Sequence, residues 1–106
     1  CLPCRQEMPS LDKFLKENRK NPIVILPISE DYKDLKEVKE YYTKNSIANL
    51  KLYQDPKHVQ MQFFNISGLP TTIFLDKQGK EFGRIEGSID WQSPEVEKLI
   101  TSLLNN

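Results

Sequence analysis

The stretch Cys1-Leu2-Pro3-Cys4 opens the sequence and holds both cysteines of the 106-residue chain. Two cysteines supply only half of the ligands of a closed four-coordinate zinc site, and a disulfide that closes so short a loop adds little stability. The spacing suits a disulfide that forms and breaks, provided that the pair lies at the start of a helix. The amides and partial positive charge of a helix start favour a thiolate over a thiol.

The residues after the pair predict such a helix. Pro3 fixes φ near the helical value at a position where its missing N–H costs nothing, and apolar residues then recur at helical spacing to about Asn18. Pro9 lies inside this helix and removes one backbone hydrogen bond, which predicts a kink between Arg5 and Pro9. We expect three apolar side chains of the helix in the core: Met8, Leu11 and Leu15.

The next segments predict alternating strands and helices. The apolar, β-branched run from Ile23 to Ile28 predicts a strand that is buried on both faces. The sequence from Leu35 to about Asn45 has helical periodicity, and residues between Ser29 and Asp34 are candidate N-caps for that helix.

Further along, Asp55-Pro56 predicts the N-cap and first residue of another helix, with Val59 and Phe63 facing inward. A short extended piece at Leu50–Tyr53 precedes it. The last predicted elements are a strand at Thr71–Asp76, a hairpin turn at Asp76–Gly79, a returning strand at Glu81–Glu86 and a helix that begins at Ser93-Pro94.

Charge and length narrow the classes of function. The chain has 15 basic and 15 acidic side chains and a formal net charge of zero, so its composition argues against nucleic-acid binding. Its longest apolar run, Ile23–Leu26, is far shorter than the roughly 18 to 20 residues that cross a bilayer. A chain of this size predicts one domain over residues 1–106.

Taken together, these motifs resemble the thioredoxin fold, and they are most similar to the TlpA/ResA/CcmG (DsbE) branch of bacterial thiol-disulfide oxidoreductases. The resemblance implies an α/β, thioredoxin-like fold, with a central mixed sheet flanked by helices. It covers nearly the whole chain and rests on four stretches: Cys1–Leu11, Gly68–Asp76, Gly79, and Gly87–Trp91.

The resemblance also implies roles for individual residues. Cys1 would be the exposed nucleophile and Cys4 the buried residue that resolves the mixed disulfide. Pro70 would be a cis-proline that packs against the disulfide, and Leu69 would offer its backbone to a bound substrate strand. Glu7 matches an acidic residue near the cysteine pair, and a buried glutamate beside thiols would have a raised pKa and could relay a proton.

The implied activity is reduction of protein disulfides outside the cytoplasm, in the periplasm or on the outer face of the cell membrane. Apocytochrome c is one implied substrate, and a membrane thiol reductase of the DsbD/CcdA type is the implied electron donor. Leu2 and Pro3, between the cysteines, would contact substrate and help set the reduction potential. The chemistry needs no metal or organic cofactor.

Several alternatives stay open. A DsbA-like oxidant uses the same chemistry in the opposite direction, and the sequence does not fix the direction. A Sco-like copper metallochaperone would combine the cysteines with His58, the one histidine of the sequence. The remaining hypotheses are a peroxidase-like relative, a cytoplasmic thioredoxin and a non-catalytic binding domain.

One departure from the family concerns the start of the sequence. In the family, a central strand leads into the first cysteine, between the strands that match Ile23–Ile28 and Thr71–Asp76. Nothing precedes Cys1 here, so we expect a split sheet with unpaired strand edges. We also expect these residues to be the C-terminal part of a longer monomeric protein, with the missing strand and an export or membrane-anchor segment outside them.

Overall fold

The computed structural model describes residues 1–30 and 35–105, and four of the candidate N-cap positions, 31–34, lie outside them. No helix within these ranges is both long enough and apolar enough to cross a bilayer. The order of helices and strands agrees with the sequence analysis. The elements are α1 (Leu2–Glu17), β1 (Ile28–Ser29), α2 (Leu35–Lys44), β2 (Tyr53–Gln54), α3 (Val59–Phe63), β3 (Thr71–Leu75), β4 (Glu81–Glu86) and α4 (Pro94–Leu104).

The strands form two separate sheets. β1 pairs with β2 in parallel, with Ile28 opposite Tyr53. β3 pairs with β4 antiparallel, with Thr71 opposite Glu86. In the part of the chain that the structure describes, no strand joins the two sheets. The expectation of a split sheet is therefore confirmed.

The apolar run before β1 differs from its prediction. Only Ile28 and Ser29 belong to a regular strand, and the run is not buried on both faces. Ile23 and Ile25 pack against the core, whereas the side chain of Val24 is 83% exposed. The alternation follows from the period of two in an extended chain, because the core between α1 and α4 covers only one face of this run.

The third helix also departs from its prediction. It begins at Val59, after His58 with a left-handed φ of 55°, and not directly after Asp55. The change of chain direction at His58 alters the face that the helix presents. Val59 and Phe63 are therefore exposed and their predicted inward orientation is wrong. Asp55 still caps the helix, because its carboxylate accepts hydrogen bonds from the amides of Val59 and Gln60 at 2.9 and 2.8 Å.

The core lies between α1, α4 and the strands. Phe14 of α1 and Trp91, just before α4, are buried with ring centroids 5.2 Å apart. Val96 and Ile100 complete the buried cluster from α4, and half-buried side chains of the strand segments pack against it. Ser93 begins α4 as predicted, since its side chain accepts a hydrogen bond from the amide of Val96 at 3.3 Å.

A buried aspartate fixes the loop before β2 to α1. Asp12 is 7% exposed, and its carboxylate accepts hydrogen bonds from the amides of Asn49 and Leu50 at 2.8 and 2.9 Å. Burial alone would raise the pKa of Asp12, but the hydrogen bonds from Asn49, Leu50 and Ala48 outweigh it and hold the pKa below its usual value. The middle of α1 is thus held in place by a distant segment.

Candidate active site

The two cysteines form a disulfide at the start of α1. Cys1 is the N-cap residue of the helix and Cys4 lies in its first turn, with their Cα atoms 5.3 Å apart. The Cys1 Sγ accepts a hydrogen bond from the Cys4 amide at 3.3 Å. Free amides at a helix start stabilise negative charge, so the same position would stabilise a Cys1 thiolate once the disulfide is reduced.

The first residues of α1 differ in their access to solvent. Cys1 and Pro3 are exposed, and Leu2 is 67% exposed. Cys4 is half-buried and therefore more accessible than the buried position that was predicted for it. Cys1 is therefore the sulfur that a reagent or another protein reaches more easily. This arrangement is consistent with the predicted order, in which Cys1 attacks and Cys4 resolves.

The segment before β3 holds the other predicted contact residues. The peptide bond between Leu69 and Pro70 is cis, which is the isomer that the resemblance implies. Leu69 is 39% exposed and Pro70 is half-buried. The Pro70 carbonyl accepts a hydrogen bond from the amide of Gly87 at 2.9 Å, and Gly87 has a φ of 97° that suits glycine.

Glu7 is buried one helical turn after Cys4. Its side chain is 7% exposed, and its Oε1 accepts a 2.9 Å hydrogen bond from the Trp91 indole nitrogen. Burial raises the pKa of Glu7, although the hydrogen bonds from Trp91 and the Ile89 backbone partly oppose that rise. The expected combination of burial and raised pKa is therefore present.

Trp91 is the residue whose part in the site the sequence analysis missed. Besides binding Glu7, its amide donates to the Ser10 hydroxyl at 3.1 Å, and its ring packs on Phe14. Glu7, Ser10 and Phe14 lie three and four residues apart, on one face of α1. The available signal was that Trp91 is the single tryptophan of the sequence and follows a segment already matched to the family.

The segment from Gly87 to Trp91 connects the two parts of the candidate site. Its first residue bonds the Pro70 carbonyl, and its last residue bonds both Glu7 and Ser10 of α1. The structure therefore links the cis-proline loop and the cysteine helix through one short stretch of chain. The four residues between the hairpin and Trp91 are too few to allow the two parts to move far apart.

His58, the histidine of the copper-binding alternative, contacts the backbone of Glu30. Its Nε2 is 2.9 Å from the backbone oxygen of Glu30, at the start of α3. Within residues 1–30 and 35–105, no group of three or more histidine, cysteine or acidic side chains is arranged to hold a metal ion.

The fold and the cysteine pair define a thioredoxin-fold protein with a disulfide at a helix start. The sequence model of a thioredoxin-like family matches residues 1–81, which is most of the chain, and the protein belongs to this family.

A curated relative agrees with this assignment. The thioredoxin-like protein YneN of Bacillus subtilis is 31% identical over 80 residues, which are 74% of this chain and 46% of that protein. The chain thus spans about half the length of this curated relative.

A crystal structure assigned as thiol:disulfide interchange protein DsbE from Chlorobium tepidum matches with a TM-score of 0.83 and 21% identity, over 98% of this chain and 72% of that one. StoA from Bacillus subtilis matches with a TM-score of 0.76 and 19% identity, over 93% and 71% of the two chains. At these identities the structural matches establish the thioredoxin-like fold.

Proposed function

We propose that this protein is a thiol-disulfide oxidoreductase that reduces disulfides of other proteins outside the cytoplasm, with Cys1 and Cys4 as its redox pair. The observation that carries the proposal is the Cys1–Cys4 disulfide at the start of α1, with Cys1 exposed and Cys4 half-buried. Family membership and the likeness to a thiol:disulfide interchange protein support it.

The proposed cycle passes two electrons to the substrate. The Cys1 thiolate of the reduced protein attacks one sulfur of a substrate disulfide, and the other substrate sulfur leaves as a thiolate. The Cys4 thiolate then attacks the Cys1 sulfur of the mixed disulfide, which releases the second substrate sulfur and forms the Cys1–Cys4 bond. Two protons end on the substrate thiols, and the protein is left oxidised.

Glu7 is the proposed proton carrier of this cycle. It lies one turn after Cys4, and its raised pKa makes its carboxylate a stronger base than that of an ordinary glutamate. In the proposed reaction Glu7 takes the proton of the Cys4 thiol and so prepares Cys4 to resolve the mixed disulfide. Trp91 holds the carboxyl of Glu7 in place through the indole hydrogen bond.

The proposed substrate contacts are Leu2, Pro3, Leu69 and Pro70. Leu2 and Leu69 expose apolar side chains, which suits binding of an extended, partly unfolded protein segment. The Leu69 backbone would pair with the substrate strand, as strand addition predicts for exposed main-chain groups.

Partners and location are proposed by analogy with the branch. The substrates are protein disulfides, with apocytochrome c as one candidate. The electron donor is a membrane thiol reductase of the DsbD/CcdA type. The proposed location is the periplasm or the outer face of the cell membrane.

The reduction potential of the Cys1–Cys4 couple tests the direction of electron flow. We expect a value below about −230 mV when the protein is equilibrated with glutathione buffers, because a reductant must lie below the glutaredoxin range. A value near −120 mV would instead indicate a DsbA-like oxidant.

Trapping identifies the substrates. Cys4→Ser keeps the attacking sulfur and removes the resolving one, so this variant is expected to accumulate mixed disulfides with client proteins. Cys1→Ser is the matched control, because it keeps Cys4 but lacks the exposed nucleophile. Equal trapping by the two variants, or none by either, would contradict the proposed roles.

A further inference from the structure

Helix α1 contains a carbonyl group that the helix itself cannot satisfy. In an α-helix the amide of residue i donates to the carbonyl of residue i−4, so residue 9 would serve the carbonyl of Arg5. Pro9 lies inside α1 and has no amide hydrogen. The Arg5 carbonyl therefore needs a donor from elsewhere.

That donor comes from the second helix. The hydroxyl of Tyr41, on α2, donates a 2.6 Å hydrogen bond to the Arg5 backbone oxygen, across 36 positions of the chain. The distance is normal for a hydroxyl donor. Burial raises the pKa of Tyr41, while the nearby charge of Arg5 partly opposes the rise, so the hydroxyl keeps its proton at neutral pH.

Arg5 is also the residue that closes the turn around the cysteines. It follows Cys4 directly, and its amide donates to the Cys1 carbonyl at 3.2 Å. A continuous path thus runs from the Tyr41 hydroxyl, through the peptide groups of Arg5, to Cys1. Within this turn the Cys4 amide also bonds the Cys1 sulfur.

We propose that Tyr41 is a positioning residue for the cysteine pair: its hydroxyl replaces the helix donor that Pro9 lacks and holds the first turn of α1 in the geometry that stabilises a Cys1 thiolate. This inference rests on the proposed function, because it assigns a role in the same redox site. Tyr41 acts through the Arg5 peptide and does not touch the reacting sulfur atoms.

Loss of the hydroxyl should weaken the thiolate of reduced Cys1. Without its partner the Arg5 peptide is freer to move, so the amides around Cys1 stabilise the negative charge less. In Tyr41→Phe we expect the pKa of the Cys1 thiol to rise by about half a unit, which lowers the thiolate fraction about threefold at a pH below the pKa. The rate of Cys1 alkylation in that range should fall by the same factor.

The test measures Cys1 alkylation as a function of pH in the reduced protein. Tyr41→Phe removes one oxygen atom and keeps the ring, and Tyr42→Phe is the matched control on the same helix. The Tyr42 hydroxyl donates to the Lys51 carbonyl at 3.4 Å and has no part in the path to Cys1. We expect the Tyr42→Phe profile to coincide with that of the unsubstituted protein.

The comparison is repeated in a Pro9→Ala background, because alanine supplies the amide hydrogen that would donate to the Arg5 carbonyl. The threefold effect of Tyr41→Phe should disappear when Pro9→Ala is also present. The same factor in both backgrounds would overturn the proposal, since the effect would not pass through the Arg5 carbonyl. An unchanged alkylation profile in the single Tyr41→Phe variant would overturn it as well, even if that variant is less stable.

The two proposals fail in distinguishable ways. If the unsubstituted protein does not exchange disulfides with a protein substrate, the proposed function fails, but the alkylation profiles still measure the influence of Tyr41 on Cys1. If exchange is normal and Tyr41→Phe leaves the profile unchanged, the role of Tyr41 fails and the proposed function stands.

Discussion

The indole nitrogen of Trp91 and Oε1 of Glu7 are joined by a buried 2.9 Å hydrogen bond between residues 84 positions apart. The bond holds the Glu7 carboxyl, near the start of α1, against Trp91, which precedes the last helix, α4. Because burial of a carboxylate is costly without such a donor, the pair is expected to matter for both stability and the pKa of Glu7.

Trp91→Phe is expected to lower the free energy of unfolding by about 1 to 3 kcal/mol at pH 7, because it removes the donor to a buried acceptor and leaves the aromatic packing largely in place. Urea unfolding of the oxidised protein measures the loss. A double-mutant cycle with Glu7→Gln is the control, since the cost should shrink when the carboxylate is absent. Additive costs would show that the bond contributes nothing specific.

Glu30 makes stability depend on pH near neutrality. Its side chain hydrogen-bonds Asp55, its Oε2 is buried without a hydrogen-bond partner among the described residues, and burial and the Asp55 charge raise its pKa to about 7. Between about pH 4.5 and 7 the folded state keeps a proton that the unfolded state releases. This group therefore makes the protein less stable as the pH rises through that window.

Glu30→Gln should flatten this part of the pH dependence, because an amide donates to Asp55 at any pH. Urea unfolding at pH 5 and pH 8 measures the change, with Glu40→Gln on the exposed face of α2 as the control. Buried Glu7, whose pKa is also raised, contributes a decrease of the same sign in both variants. An equal decrease in stability from pH 5 to pH 8 in Glu30→Gln and the control would contradict the prediction.

Asp12→Ala should destabilise the protein by about 2 to 4 kcal/mol, because it leaves the amides of Asn49 and Leu50 without their acceptor. Asp12→Asn keeps one acceptor oxygen and is expected to cost less. The pKa of Asp12 is lowered in the folded state, so its ionic contribution is present at neutral pH and is lost as the pH falls below about 3.8. Thermal unfolding at pH 7 and pH 3 measures both effects, and equal losses for the two variants would refute the assignment.

Ser93→Ala should lower stability by about 1 kcal/mol, because the Ser93 side chain caps the amide of Val96 at the start of α4. Ser102→Ala, on an exposed position of the same helix, is the matched control. It should be neutral or slightly stabilising, since alanine has the higher helix propensity. Chemical denaturation of the two variants gives the comparison, and similar midpoints would argue against the cap.

The run before β1 offers a direct comparison of neighbouring residues. Ile25→Ala should cost about 1 to 3 kcal/mol because Ile25 packs against the core, whereas Val24→Ala should cost less than about 0.5 kcal/mol because Val24 is exposed. Urea unfolding of both variants tests the alternation. A large cost for Val24→Ala would mean that another part of the protein covers this residue.

Local signals in the sequence were sufficient to predict most of the helices and strands. Pro3, Pro94 and the cap Ser93 fixed the starts of two helices, and the hairpin between β3 and β4 followed from its turn residues. These features depend on backbone chemistry that acts within a few residues. The cis bond before Pro70 came from the family resemblance, because most prolines in folded proteins follow a trans bond.

The predictions that were wrong or missing depend on packing between residues far apart in the chain. Nothing local reveals that residues 1–30 and 35–105 leave one face of the run Ile23–Ile28 exposed, or that the left-handed backbone at His58 delays α3. The contacts of Glu7 with Trp91 and of Arg5 with Tyr41 join residues far apart in the chain. Helical spacing predicted that Glu7 and the cysteines share one helix, but it carried no information about their partners.

The contacts that support α1 from other parts of the chain limit how the site can be reconstructed outside this protein. A synthetic peptide covering residues 1–18 would contain both cysteines but neither Tyr41 nor Trp91, which bond α1 from α2 and from the segment before α4. Such a peptide would carry the motif without its supports, and short helices are marginal in water. Grafting the four-residue motif into another scaffold would therefore transfer the thiols but not their environment.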